Sequence, residues 1–406
     1  MNPHRMAWGF AYSMPFAAFV AILTIISIAI SSEPKRLPIT PITIILLLFA
    51  GWMAVSTVFA LFPQDAYISL KRIYKILFMT FLTLMLINTK ERINQLIWVI
   101  VVSLGYFGTK GGAFTLATGG SFIVWGPPES FVEGNNELAL ALLMLIPLAN
   151  YLRTETKNIW IKRGLLGSMT LMAISSIGSQ SRGALLAFLA MLAYFWLKSR
   201  QKFITGIVGI LFASLLFVFM PKSWHDRMGT IQTYEQDGSA MGRINAWYVA
   251  VNIAKDRITA GGLEHWSAET FAVYAPNPTD VHDAHSIYFE VLGEHGFVGL
   301  ILYLILGALT FRIANTTLKQ TAGRPDLQWA NTLSRNIYVS LIAYATGGAF
   351  LGLAYYDLYY HLIAIILLTQ QIVLKELASP STNNSDDSIV EKPSGIQPFV
   401  RPIRDK

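Results

Sequence analysis

Three polar positions in an otherwise apolar chain have residue types that can do chemistry. Arg182 lies in Ser179-Gln180-Ser181-Arg182-Gly183, between two hydrophobic stretches with almost no loop to spare. An arginine at such depth is costly and usually has a functional partner, although it can also snorkel to the interface. Arg243 opens an amphipathic segment after Asp237-Gly238-Ser239, either of whose polar side chains could cap a helix there. A helix start presents free N–H groups, and a guanidinium adds a planar fork for phosphate oxygens. The alternative is a solvated loop arginine. His285 follows Asp280-Val281-His282-Asp283-Ala284. A helix capped by Asp280 or Asp283 would place His285, Tyr288, Phe289 and Leu292 on one apolar face, with Glu290 and Glu294 on the other. A neutral imidazole there could take a proton from a hydroxyl, or could simply be an interfacial hydrogen-bonding group. His282, Asp283 and His285, with the distant His265 and His295, could also be read as metal ligands, but their spacing is not that of a recognised site.

The rest of the chain must position these groups within a bilayer. Of 406 residues, 53% are hydrophobic and 14% charged, against about 25% charged in a soluble domain. Apolar runs near 8–30, 41–61, 71–87, 93–107, 136–152, 163–180, 182–198, 203–220, 296–313, 336–354 and 357–376 predict about eleven membrane helices. The expected organisation is helices 1–8 over residues 1–220, a large loop over 221–285, helices 9–11 over 286–377 and a disordered tail over 378–406. The glycine-rich stretch 108–135, with Gly126-Pro127-Pro128, predicts a loop. Within the large loop, Ile244, Trp247, Tyr248 and Val251 predict the apolar face of a helix over 242–256. Gly348 and Gly352 predict a small-residue packing face inside one helix, and Asn136 and Glu137 predict caps at a helix start.

Net charge is +7, yet roughly 20 of the 31 basic residues fall in loops on one side and in the tail, which orients that side to the cytoplasm. The large loop and the N-terminus then lie outside. An outside N-terminus without a cleaved signal leads us to expect a further helix upstream. The absence of cysteine excludes thiol chemistry and disulfides. No Walker loop, dinucleotide glycine fingerprint or Asp-x-Asp pair occurs, which argues against a nucleotide-sugar donor. A transporter would usually show internal repeats, and none is evident.

His285-Ser286, nine residues, then Gly296-Phe297-Val298-Gly299 fits the pattern H-[NSQ]-x9-G-x-x-[GTY] of O-antigen ligases. The long outer loop, Ser181-Arg182-Gly183 at a helix junction and Arg243 ahead of Trp247 also resemble that family. Asn2-Pro3-His4-Arg5, Trp125-Gly126-Pro127-Pro128, Asn135-Asn136-Glu137-Leu138-Ala139 and Thr230-Ile231-Gln232-Thr233-Tyr234 look like the exosortase-A-associated O-glycosylation ligases, a branch of the O-antigen ligase/polymerase superfamily. The resemblance implies an all-α, GT-C-like, metal-independent and cofactor-free inverting glycosyltransferase of the bacterial inner membrane. Its implied donor is a glycan on undecaprenyl pyrophosphate, and its acceptor is a hydroxyl of glycolipid, protein or glycan. It also implies His285 as base and Arg182 and Arg243 as pyrophosphate ligands. A polymerase of the same superfamily, or a lipid-linked glycan transporter, is the alternative.

Overall fold

The computed structural model describes residues 9–33, 35–199, 201–229 and 238–378. Among these residues the regular structure is entirely helical. After a 3-10 turn at Gly9–Ser13 come α1 (Phe16–Ile30), α2 (Pro41–Val58), α3 (Pro63–Leu86), α4 (Lys90–Ala117), α5 (Asn135–Glu155), α6 (Ile159–Gly178), α7 (Arg182–Lys198) and α8 (Lys202–Phe219). The large loop holds α9 (Lys222–Gly229), α10 (Gly238–Asp256) and α11 (Ala268–Tyr274), and is followed by α12 (Ile287–Gln320), α13 (Gln328–Gly347) and α14 (Asp357–Ala378). Each of the eleven apolar runs overlaps a helix, though the 336–354 run extends past the end of α13. Five of these helices, α2, α4, α5, α12 and α14, are long and apolar enough to cross a membrane.

Capping explains several of the starts. Thr40, Thr89 and Ser181 each accept a hydrogen bond from the backbone three residues on, satisfying an amide that a helix start leaves unpaired. The bundle centres on α5, which is buried on almost every side, with Leu138 through Leu145 all 1% exposed or less. α4, α6, α7 and α13 pack around it. Apolar side chains such as Leu47, Val102, Ile301 and Leu304 lie exposed on the outer surface.

Four details differ from the sequence expectation. Residues 108–117 are helical, as the last turns of α4, rather than loop. Their glycines let α6 approach: a Cβ at Gly112 would lie 2.1 Å from the Leu171 carbonyl oxygen, and one at Gly111 would lie 2.4 Å from Ser175 Oγ. Close packing, not chain breaking, accounts for them. α13 ends at Gly347, so Gly348 and Gly352 lie beyond it rather than inside one helix. α10 begins at Gly238, and its buried face is Gly242, Asn245, Ala246, Val249, Ala250, Ile253 and Ala254. The bulkier Tyr248 is 55% exposed, because small side chains are what allow α10 to lie close against α12. Finally, α12 starts at Ile287, so His285 precedes the helix. The segments around Asn2-Pro3-His4-Arg5, Thr230–Tyr234, Asp237 and the tail from 379 fall outside the described residues.

Candidate active site

His285 sits in a left-handed backbone conformation, with φ of 43°. For a residue bearing a Cβ this costs about 1–3 kcal/mol unless its surroundings enforce it. The enforcement comes from α10. Trp247 Nε1 donates to Ala284 O at 2.7 Å, and the Trp247 ring stacks on Phe289 at 4.8 Å with planes 9° apart. Two residues earlier, Asn245 Nδ2 donates to Asn277 O and Asp280 O at 2.8 and 2.9 Å, while Asn245 Oδ1 accepts from Asn277 N at 3.0 Å. Gly242 rests on the His282 ring, where a Cβ would lie 2.5 Å from Nδ1. The stretch 277–285 is therefore held along one helix from both its ends.

Arg243 is carried by that same helix, one turn before Trp247. It stands near enough for its charge to act on both His285 and the Glu137 carboxylate at the start of α5. Burial first, and the Arg243 charge second, hold the half-buried His285 imidazole below its ordinary proton affinity; Asp283 opposes them. The neutral, proton-accepting form is favoured.

Arg182 is the first residue of α7, behind the Ser181 cap and behind Gln180, itself left-handed with φ of 56°. The helix starts gather here. Asn135 Nδ2, at the start of α5, donates to Ser179 O at 2.7 Å. Gly183 meets the turn after α13, where a Cβ would lie 3.2 Å from Phe350 Cβ, and a Cβ at Gly348 in the same turn would lie 2.6 Å from Ile287 Cδ1. The 348–351 turn thus separates the start of α7, with Arg182, from the start of α12, two residues past His285. Three helix N-termini and Arg243 share one end of the bundle, and their partial positive charges add to the guanidinium groups.

The glycines of the His285 motif have separate physical reasons. Gly296 breaks α12 with φ of 67° and ψ of −170°, a conformation essentially confined to glycine. The helix that His285 leads into therefore ends at His295, and its last carbonyls are capped from elsewhere in the chain. Gly261 N donates to Gly293 O at 2.9 Å and Gly262 N to Glu294 O at 3.1 Å, while Trp52 Nε1 donates to His295 O at 2.7 Å. At Gly299 a Cβ would lie 2.3 Å from His295 Cβ. Sequence reasoning missed the strap 257–266 that supplies two of these caps.

It also set Glu290 and Glu294 on the face opposite the apolar one and gave them no role. Glu290 Oε2 accepts from Ala354 N at 3.1 Å, and Tyr355 donates to Glu294. Two carboxylates one turn apart thus clamp the segment between α13 and α14 to the helix behind His285. Their i, i+4 spacing beside an apolar span was the available signal. His265 and His295, weighed above as ligands, are fully buried: His265 Nδ1 lies 2.9 Å from Gly262 O, and His295 Nδ1 2.6 Å from Ser56 Oγ. Burial pushes His265 down to about 4. Among the described residues, no group of three or more His, Cys, Asp or Glu side chains is placed to hold a metal ion.

Residues 167–304 match the family model for O-antigen ligase. That part of the chain is similar to O-antigen ligases, and the apolar helices are those of a multi-pass membrane protein. The matched ligase region runs from α6 into α12, and Arg182, Arg243, His285, Gly296 and Gly299 all fall within it. Residues 1–157, which carry α1 to α5, match a family of unknown function. No curated protein matches the chain.

Proposed function

We propose that this ligase-domain protein transfers a glycan from undecaprenyl pyrophosphate to an acceptor hydroxyl at the outer face of the bacterial inner membrane. In this reading the chain crosses the bilayer about eleven times in a GT-C-like arrangement, with the 221–285 loop outside and the tail inside. The observation that supports it most is the placement of Arg243 within electrostatic reach of a backbone-constrained His285 whose proton affinity burial lowers, on a helix that also fixes the histidine's own segment through Asn245 and Trp247.

The acceptor oxygen attacks the anomeric carbon from the face opposite the leaving group. The bond from that carbon to the phosphate oxygen breaks, and its electron pair leaves with the pyrophosphate. Arg182, Arg243 and the gathered helix starts stabilise the developing negative charge. His285 takes the acceptor proton. No step calls for a metal or cofactor. The acceptor is a glycolipid, protein or glycan hydroxyl.

Gene deletion followed by surface-glycan analysis tests the reading. Loss of glycan from lipid A or from proteins, with lipid-linked glycan accumulating, is the expected result. Accumulation of short glycan would move the assignment to a polymerase of the same superfamily, and unchanged surface glycan would overturn it.

A further inference from the structure

The loop 118–134 between α4 and α5 lies outside the matched ligase region, yet it borders the arginine junction. Val124 and Val132 turn inward and are buried, whereas Phe122, Trp125 and Phe131 are 62%, 63% and 41% exposed. The backbone is tightly tied. Gly126 N donates to Glu133 O at 2.8 Å, and a Cβ at Gly126 would lie 1.5 Å from Val132 O. Ser130 Oγ donates to Pro127 O at 2.7 Å, and Glu129 N to Glu133 Oε2 at 2.8 Å. Two more bonds pin the loop beside Arg182: Val124 N to Gly178 O at 3.2 Å and Gln180 Nε2 to Gly120 O at 3.3 Å.

A rigid loop thus presents an indole to the outside, next to the proposed pyrophosphate site. Leaving so much aromatic surface uncovered sacrifices stability that burial would give. Two features decide what covers it. Glu129 and Glu133 are exposed on the same loop, and carboxylates are expensive to place against lipid tails. Their charge also repels phosphate. A flat apolar face flanked by hydrogen-bond acceptors suits a neutral sugar ring, with its C–H face on the indole and its hydroxyls donating to the carboxylates. The pins run to the Arg182 junction, which favours the donor's glycan over the acceptor.

We propose that the Phe122–Glu133 loop is a sugar-binding subsite for the glycan carried on the donor, with Trp125 as the stacking platform. This rests on the donor assignment above. The test compares two lipid pyrophosphates, one bearing the cell's complete glycan and one bearing a single sugar. Trp125→Ala should raise KM about tenfold for the first, the scale of a lost aromatic contact, with kcat unchanged and the single-sugar donor unaffected. Trp125→Phe should restore most of the affinity. The free oligosaccharide released from the lipid-linked pool should show saturation-transfer NMR contact with the wild type and lose it with Trp125→Ala. An equal KM rise for both donors, a rise in acceptor KM alone, or impaired membrane integration with KM unchanged would each overturn the subsite. If the wild type transfers neither donor, the proposed activity fails, and the NMR experiment still decides the subsite.

Discussion

Gly296→Ala probes the joint between the His285 helix and the membrane span. The native φ of 67° and ψ of −170° at this position would cost an alanine about 1–3 kcal/mol of backbone strain. The added Cβ would lie 2.2 Å from Ile258 O, a backbone atom that cannot swing aside. Relief requires the 257–262 strap to retreat. That threatens the bonds from Gly261 N to Gly293 O and from Gly262 N to Glu294 O, each worth about 1 kcal/mol. The sum is about 3–5 kcal/mol. The control is Gly307→Ala, where a new Cβ would meet only Tyr359 Oη at 3.5 Å and should be nearly neutral. Thermal unfolding in detergent, followed with glycan transfer, reads both. Gly296→Ala should unfold well below the wild type and lose transfer, while Gly307→Ala tracks the wild type. A Gly296→Ala protein with wild-type unfolding and transfer would refute this account of the kink.

Trp247→Phe keeps the stack on Phe289 but loses the bond to Ala284 O; it should cost about 1 kcal/mol of stability and lower kcat more than it raises KM. Because burial and the Arg243 charge hold the His285 imidazole below the ordinary range, the acid limb of kcat/KM should lie below about pH 6.5. Arg243→Gln should move that limb upward, since one of the causes that lower it is removed; an unmoved limb would separate Arg243 from His285. Burial holds His265 near 4 in the folded protein, so the unfolded chain takes up a proton first as pH falls. Stability should therefore drop by up to about 3 kcal/mol between pH 6.5 and 4, and a His265→Asn variant should lose that pH dependence in thermal unfolding.

Helix positions were legible from apolar runs because a run long enough for a bilayer has few other conformations open to it. The Arg182 junction was legible for the same reason, since no loop residues separate α6 from α7 beyond Ser179, Gln180 and Ser181. Glycine was the ambiguous letter. Gly111 and Gly112 read as a loop but serve helix contact, and Gly348 reads as helix packing but belongs to a turn beyond α13. Only the neighbour across the interface, Leu171, Ser175 or Ile287, decides between these uses. Helical spacing placed His285 on a helix face, and the fold instead sets it in a left-handed position ahead of Ile287. That geometry depends on Asn245 and Trp247, some forty residues earlier in the chain, and no local pattern encodes it. The same holds for α10, whose buried stripe of small side chains is chosen by its partner α12 rather than by hydrophobicity.

The most direct test of the central claim is transfer from purified lipid-linked glycan to acceptor by His285→Ala, in detergent, with pyrophosphate binding and thermal unfolding measured alongside. The account predicts a fall in turnover of about 100- to 10,000-fold, with folding and pyrophosphate binding retained and the wild-type rate insensitive to EDTA. Near-normal transfer by folded His285→Ala protein would contradict it.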